Sequence, residues 1–237
     1  MVFAVIVAGG IGTRMGSNDM PKQFLEIKNK PIISYTVDKF ILNPEFEKII
    51  VLTPKNWIDH TKQIIKKYSG ESEKIVIIEG GPTRNETIMN SIEYIKNNYG
   101  LNDDTVIVTH DSVRPFVTHR IIEENIKAAK EFGACDTVIC ATDTIVESED
   151  ENYISAIPNR KKMYQGQTPQ SFKAKNLYET YNSLTDEEKD ILTDAAKILT
   201  IKGQKVKLIK GETYNIKITY PYDLKIARSL LEETFDD

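Results

Sequence analysis

The sequence predicts an α/β fold: a Rossmann-like, mostly parallel sheet with helices on both faces, interrupted once by a β-hairpin arm. Three observations carry this reading. Short apolar runs alternate with amphipathic helical stretches through most of the chain, the pattern of strands covered on both faces by crossover helices. The first of those runs breaks into a glycine-rich loop, where sheets of this kind place a ligand. Between Thr142 and Gln165 the alternation lapses into a polar stretch with no helical period. At 237 residues, one domain spanning 1–237 is expected, with 142–165 as an excursion from it.

Each element has its own reason. Val2 to Val7 is a buried strand. Lys30-Pro31 opens a helix to about Asn43, because proline suits a first turn and Ile32, Ile33, Thr36, Val37, Phe40 and Ile41 share one face. Lys48 to Thr53 is a strand, Asn56 to Tyr68 a helix, and Lys74 to Ile78 a strand. Gly80-Gly81 turns into a helix carrying Ile88, Ile92 and Ile95. Thr105 to Thr109 is a strand, Thr118 to Phe132 a helix ended by Gly133, and Cys135 to Ala141 a strand. Thr144 to Glu147 and Tyr153 to Ile157 read as a hairpin around 148–152. A two-stranded ribbon is not stable alone, so it is expected to pack on a second copy of the chain and make a homodimer. A helix near Lys175 to Asn182, a Thr185/Glu188 capping box and a helix from about Thr193 follow. The strands Val206 to Ile209 and Asn215 to Thr219 and a helix from Asp223 to about Glu233 complete the chain.

Composition narrows the function. Hydrophobic residues make up 40% and charged residues 28%, as in ordinary globular proteins. The net charge of -4 argues against a nucleic-acid binder, so an anionic ligand has to be met by a local cluster of cations. Cys135 and Cys140 fall on opposite faces of one strand, which disfavours a disulfide or a shared metal, and both read as buried small residues. No basic leader with a cleavage site precedes the first strand, and no apolar run approaches the ~20 residues that span a bilayer. The expectation is a cytoplasmic protein without membrane insertion.

Four polar clusters fall at strand ends. The first is Val7-Ala8-Gly9-Gly10-Ile11-Gly12-Thr13-Arg14-Met15-Gly16 with Pro21-Lys22-Gln23. Glycines let the backbone approach phosphate oxygens, and Arg14 and Lys22 add positive charge there. Glycines after a strand can also be only a tight turn. A dinucleotide fingerprint fails because Met15 stands where its third glycine belongs, and a P-loop fails for want of Gly-Lys-Ser/Thr. The second cluster, Gly81-Pro82-Thr83-Arg84-Asn85-Glu86-Thr87, is a helix N-terminus whose N–H groups can cradle an anion or read a base edge. The third is His110-Asp111-Ser112-Val113-Arg114-Pro115. Asp111 offers a hard oxygen to Mg2+ carried by a triphosphate, and Arg114 a fork for phosphate, although an Asp and an Arg at this spacing can be a plain ion pair. His110 reads as a packing or hydrogen-bonding residue, because zinc needs several clustered ligands. The fourth is Asn215-Ile216-Lys217-Ile218-Thr219.

These motifs, with Gln167-Thr168-Pro169-Gln170, occur in an order that resembles the cytidylyltransferase family containing the methylerythritol 4-phosphate and ribitol-5-phosphate enzymes. The resemblance spans essentially the whole chain. Within it, Ser112-Val113 and the run Met163 to Phe172 are most similar to the ribitol branch; the methylerythritol branch usually has two alanines at the first of these. The resemblance implies transfer of cytidylyl from CTP to D-ribitol 5-phosphate, giving CDP-ribitol, a teichoic-acid-type precursor, and pyrophosphate. The alternative acceptor is 2-C-methyl-D-erythritol 4-phosphate, of isoprenoid synthesis. It also implies roles: Arg14, Lys22, Lys217 and Arg160 in catalysis, with Mg2+ on Asp111. Val7, Ala8, Gly9, Gly10, the 81–87 turn and Ser112 would hold CTP. Asp111, Arg114, Thr144, Arg160, Thr168 and Lys217 would hold the acceptor, Thr144 and Arg160 reaching the neighbouring subunit. A catalytically silent nucleotide-binding regulator is disfavoured by the retained Arg14, Lys22, Asp111 and Lys217.

Overall fold

The computed structural model describes residues 1–10 and 20–233. Its frame is a seven-stranded sheet, whose strands are β1 (Val2–Val7), β4 (Phe46–Thr53), β5 (Ile75–Glu79), β6 (Val106–Asp111), β7 (Ala134–Cys140), β8 (Tyr164–Lys173) and β9 (Lys207–Lys210). A two-stranded ribbon, β2 (Glu26–Ile27) with β3 (Lys30–Pro31), stands apart. The sheet order is β5-β4-β1-β6-β8-β7-β9. All pairings are parallel except those of β8, which runs antiparallel to both β6 and β7.

Side-chain alternation along β1 explains the two layers. Val2, Ala4 and Ile6 face a core shared with α1 (Ile32–Ile41), α2 (Ile58–Ser69) and α4 (His119–Phe132). Phe3 and Val5 face the opposite core, with α3 (Arg84–Tyr99), α5 (Ala174–Asn182) and α7 (Ala195–Ile201). A strand covered on both faces has no polar side to show, hence the unbroken apolar run. The short α6 (Asp186–Asp190) carries the expected Thr185/Glu188 capping box. The closing α8 (Pro221–Glu233) packs Ala227 with Ile27, Ile32, Val113 and Ile218 in a third, smaller cluster.

The structure differs from the sequence expectations in five places. β8 was not anticipated: Tyr164 to Lys173 is polar and contains Gly166 and Pro169, and carries no apolar period. From Gln167 to Ser171 the strand is nonetheless buried, and its backbone is bonded by neighbouring side chains: Thr109 Oγ1 donates to the Gln170 carbonyl, and Thr137 Oγ1 to the Pro169 carbonyl. Asn215 to Thr219 is not a strand; it is an irregular segment tied to the turn after β6 by Ile218 N–H donating to Val113 O. The arm is not a regular hairpin but one isolated bridge, Glu147 with Ala156. Pro31 precedes α1 rather than lying in its first turn. Cys140 is exposed, because it ends β7 where that strand leaves the core, whereas Cys135 is buried.

The order places one crevice. From β1 the chain adds β4 and β5 on one side, then crosses to lay β6 on the other. Beyond the carboxyl ends of β1 and β6, where the strand order switches sides, an open sheet of this kind has room for a ligand.

Candidate active site

That crevice is a cleft of about 330 Å3. Its lining comes from all four clusters: Val7, Gly9 and Gly10 with Lys22; Gly81 to Arg84 with Thr87; Asp111 and Ser112; and Lys217 with Thr219. Arg14 lies outside the described residues.

Local folding explains how these groups converge. Gln23 Nε2 donates to Ala8 O at 2.7 Å, tying the Lys22 turn to the end of β1. Ala8 itself is buried, so its neighbours Val7, Gly9 and Gly10 meet the cleft. Thr83 caps α3, accepting Glu86 N–H while the Glu86 carboxylate accepts Thr83 N–H. That capping box occupies Glu86 in holding the helix end, and Asn85 turns away from the cleft. Gly81 is obligatory in this turn: a Cβ there would stand 2.7 Å from Glu86 Cβ and 2.9 Å from Thr87 N.

Asp111 is the electrostatic centre. Lys217 Nζ lies 2.8 Å from its Oδ2, Arg84 Nε 3.2 Å from its Oδ1, and Arg114 Nε 3.8 Å from Oδ2. Burial pushes the carboxyl upward, but Arg84, Lys217 and Arg114 outweigh burial and hold it well below the usual carboxylate range. With Lys22, the cleft therefore presents an excess of positive charge around one fixed carboxylate.

Behind this centre, His110 Nε2 is 3.0 Å from Arg114 O, and its Nδ1 is 2.9 Å from Thr168 Oγ1. A carbonyl only accepts, so Nε2 carries the proton and Thr168 donates to Nδ1, while its oxygen takes Asp111 N–H at 3.2 Å. His110 is thus the hydrogen-bonding residue its sequence context suggested. Desolvation pushes it down to about 4.

Several expected site residues sit elsewhere in this chain. Thr168 is buried beneath Asp111 rather than facing the cleft. Arg114 is spent on the Asn215 carbonyl and on Asp111. Thr144 and Arg160 lie in the arm, where Arg160 donates to Thr142 O; neither lines the cleft. Two supporting residues were missed. Asn215 Nδ2 donates to Thr168 O at 2.9 Å and so fixes the segment carrying Lys217, and Gln170 accepts from Arg84 Nη1 at 3.3 Å. Both stand inside motifs singled out above, but a buried strut has no sequence signature that separates it from a ligand contact.

Among the described residues no cluster of three or more metal-ligating side chains occurs. A lone carboxylate can serve Mg2+, which keeps waters and substrate phosphates as its other ligands; Asp111, the carboxylate on the cleft, is here ion-paired with Arg84, Lys217 and Arg114.

A mostly parallel sheet with a cation-lined glycine cleft at its switch point is the architecture of an α/β nucleotidyltransferase. Comparisons with known proteins carry this further. The profile of the family IspD, 2-C-methyl-D-erythritol 4-phosphate cytidylyltransferase, matches residues 2–233, and the chain belongs to that family. It is a cytidylyltransferase. Among solved structures, the 4-diphosphocytidyl-2C-methyl-D-erythritol synthase of Anaerococcus prevotii is similar at 28% identity, with a TM-score of 0.79, covering 98% of this chain and 96% of that one. The Francisella tularensis 2-C-methyl-D-erythritol 4-phosphate cytidylyltransferase has 27% identity and a TM-score of 0.79, covering 96% and 98%. The Thermus thermophilus enzyme of the same name has 26% identity and a TM-score of 0.72, covering 98% and 100%.

Proposed function

We propose that the chain transfers the cytidylyl group of CTP to an open-chain polyol phosphate, releasing pyrophosphate. The observation that carries this reading is the ring of Lys22, Arg84 and Lys217 around the cleft, anchored on Asp111. An oxygen of the acceptor phosphate attacks the α-phosphorus of CTP; that P–O bond forms as the bond to the β-phosphate oxygen breaks. No covalent enzyme intermediate is needed, so the protein positions two anions and stabilises the charge that accumulates between them. Lys22 enters the cleft from the turn tied to the end of β1, and Lys217 from the 215–219 segment. The backbone of Val7 to Gly10 and the Gly81 turn hold the nucleotide. Mg2+ on Asp111 would neutralise phosphate charge.

Of the two acceptors, the comparisons favour 2-C-methyl-D-erythritol 4-phosphate, for which the similar enzymes are named. D-ribitol 5-phosphate is a second reading that rests on Ser112-Val113 and on 163–172. Ser112 does line the cleft. Gln167, by contrast, is committed to Glu212 O and Asn215, and Tyr164 and Gln165 face solvent, so within one chain that run adds nothing to an acceptor pocket. A site built to bond a hydroxyl rejects analogues lacking it. Pyrophosphate release with CTP and each acceptor in parallel decides: a higher kcat/KM for methylerythritol 4-phosphate supports the favoured reading, and the reverse ranking replaces it with ribitol 5-phosphate.

The arm supports a homodimer. Tyr153 is 78% exposed, and Val146, Ile154 and Ile157 also stand in solvent on a segment with a single internal bridge. Exposed apolar side chains on such a segment suit the surface of a partner. In a two-fold dimer they would cover one another, bringing Thr144 and Arg160 to the neighbouring cleft.

A further inference from the structure

Arg84 enters the cleft from the first turn of α3, yet a long guanidinium is useful to a transition state only if its direction is fixed. Asp111 holds its Nε, but Asp111 also serves Lys217 and Arg114. The second hold is Gln170, in the middle of β8 and 2% exposed, whose Oε1 accepts from Arg84 Nη1 at 3.3 Å. An amide can face either way, and here its direction is set from behind. Gln170 Nε2 donates to Asp194 Oδ2 at 3.2 Å, and Asp194 is itself fixed as the N-cap of α7 through Lys197 N–H at 2.9 Å. Across the ladder, Asp136 pairs with Gln170 in register. Its carboxyl, pushed up to about 7 mainly by burial and further by Asp194, is held back by its hydrogen bond with Gln170. With the Asp194 carboxylate on its NH2 side, the amide presents its oxygen to Arg84.

We propose that Gln170, oriented by Asp194, is a positioning residue that fixes Arg84 as a preorganised cation for the triphosphate. The inference rests on the cytidylyl-transfer reading but also concerns CTP binding itself, which can be measured without any acceptor. A donor already aimed at developing charge needs no reorganisation when the charge appears. Neither Gln170 nor Asp194 lines the cleft, so both act through Arg84.

The test is a double-mutant cycle read in two ways, as kcat/KM for CTP and as CTP Kd by titration calorimetry. Gln170→Leu is expected to lower kcat/KM and weaken CTP binding by about tenfold, the scale of a hydrogen bond to a charged group. In an Arg84→Ala background the same substitution is expected to change neither value further. Asp194→Ser keeps a cap on α7 but removes the acceptor that orients the amide; it is expected to act in the same direction, again only while Arg84 is present. This second variant decides the matter if Gln170→Leu does not fold. Equal losses with and without Arg84, or no loss from a folded variant, overturn the proposal. If the wild type binds CTP but transfers to neither acceptor, the transfer reading fails while the Kd cycle still decides the role of Gln170.

Discussion

Asp111 and His110 are adjacent in sequence and opposite in electrostatics, which shows how one strand end makes both a site and its support. Asp111 keeps its charge because three cations surround it; His110 stays neutral because burial denies it a proton. The second has a measurable consequence. Its folded value of about 4 lies below the ordinary value near 6.5, so the unfolded chain binds more protons in that interval. Stability from the neutral imidazole is fully present above about pH 6.5 and is lost as pH falls toward 4. The linkage amounts to roughly 3 kcal/mol. Urea unfolding of the wild type at pH 7 and pH 4.5 should show most of this loss, and His110→Gln, which cannot titrate, should show less of it. An equal drop in both proteins would assign the loss to other groups. Legibility at this scale was uneven. Lys22, Arg84, Asp111 and Lys217, singled out from separate motifs, do line one cleft. Thr168, Arg114 and Asn85 do not line it, and the sequence could not show this because a polar residue in a motif looks the same whether it meets a ligand or supports one that does.

At the scale of elements, the turn from β5 into α3 is where backbone geometry controls the site most directly. Gly81 N–H donates to Thr87 Oγ1 at 3.0 Å, and the first turn of α3 closes over the space a Cβ would need. Gly81→Ala therefore has to push backbone atoms rather than a flexible side chain, at a cost of about 1–3 kcal/mol. We expect a lower Tm together with weaker CTP binding by calorimetry; unchanged affinity in a folded variant would remove this turn from the nucleotide site. The buried strands and amphipathic helices were legible because apolar periodicity is a direct record of which faces are covered. β8 was not, because its interior position is stabilised by buried polar pairs such as Thr109 with the Gln170 carbonyl and Ser171 with Asn125 rather than by apolar side chains. The supposed strand at Asn215 to Thr219 failed for the converse reason. Its apolar residues alternate, but Ile218 alone turns into a core, and Lys217 is drawn to Asp111.

For the whole molecule, the arm's exposed Val146, Tyr153, Ile154 and Ile157 make assembly part of the functional account. In the dimer we propose, Lys22 and Arg160 of one composite site come from different subunits. Lys22→Ala alone should lower turnover by about two to three orders of magnitude, the range for loss of a transition-state donor. Mixed with an inactive Arg160→Ala chain under conditions of verified subunit exchange, it should recover activity, because one site of each heterodimer retains both residues. No recovery would place Arg160 in its own subunit's site or in none. The central claim, cytidylyl transfer, is tested most directly by following phosphorus. CTP labelled at the α-phosphorus, incubated with Mg2+ and each polyol phosphate, should yield a labelled CDP-polyol and unlabelled pyrophosphate in equal amounts. Label appearing in free CMP or remaining in CTP, with no CDP-polyol formed from either acceptor, would contradict it.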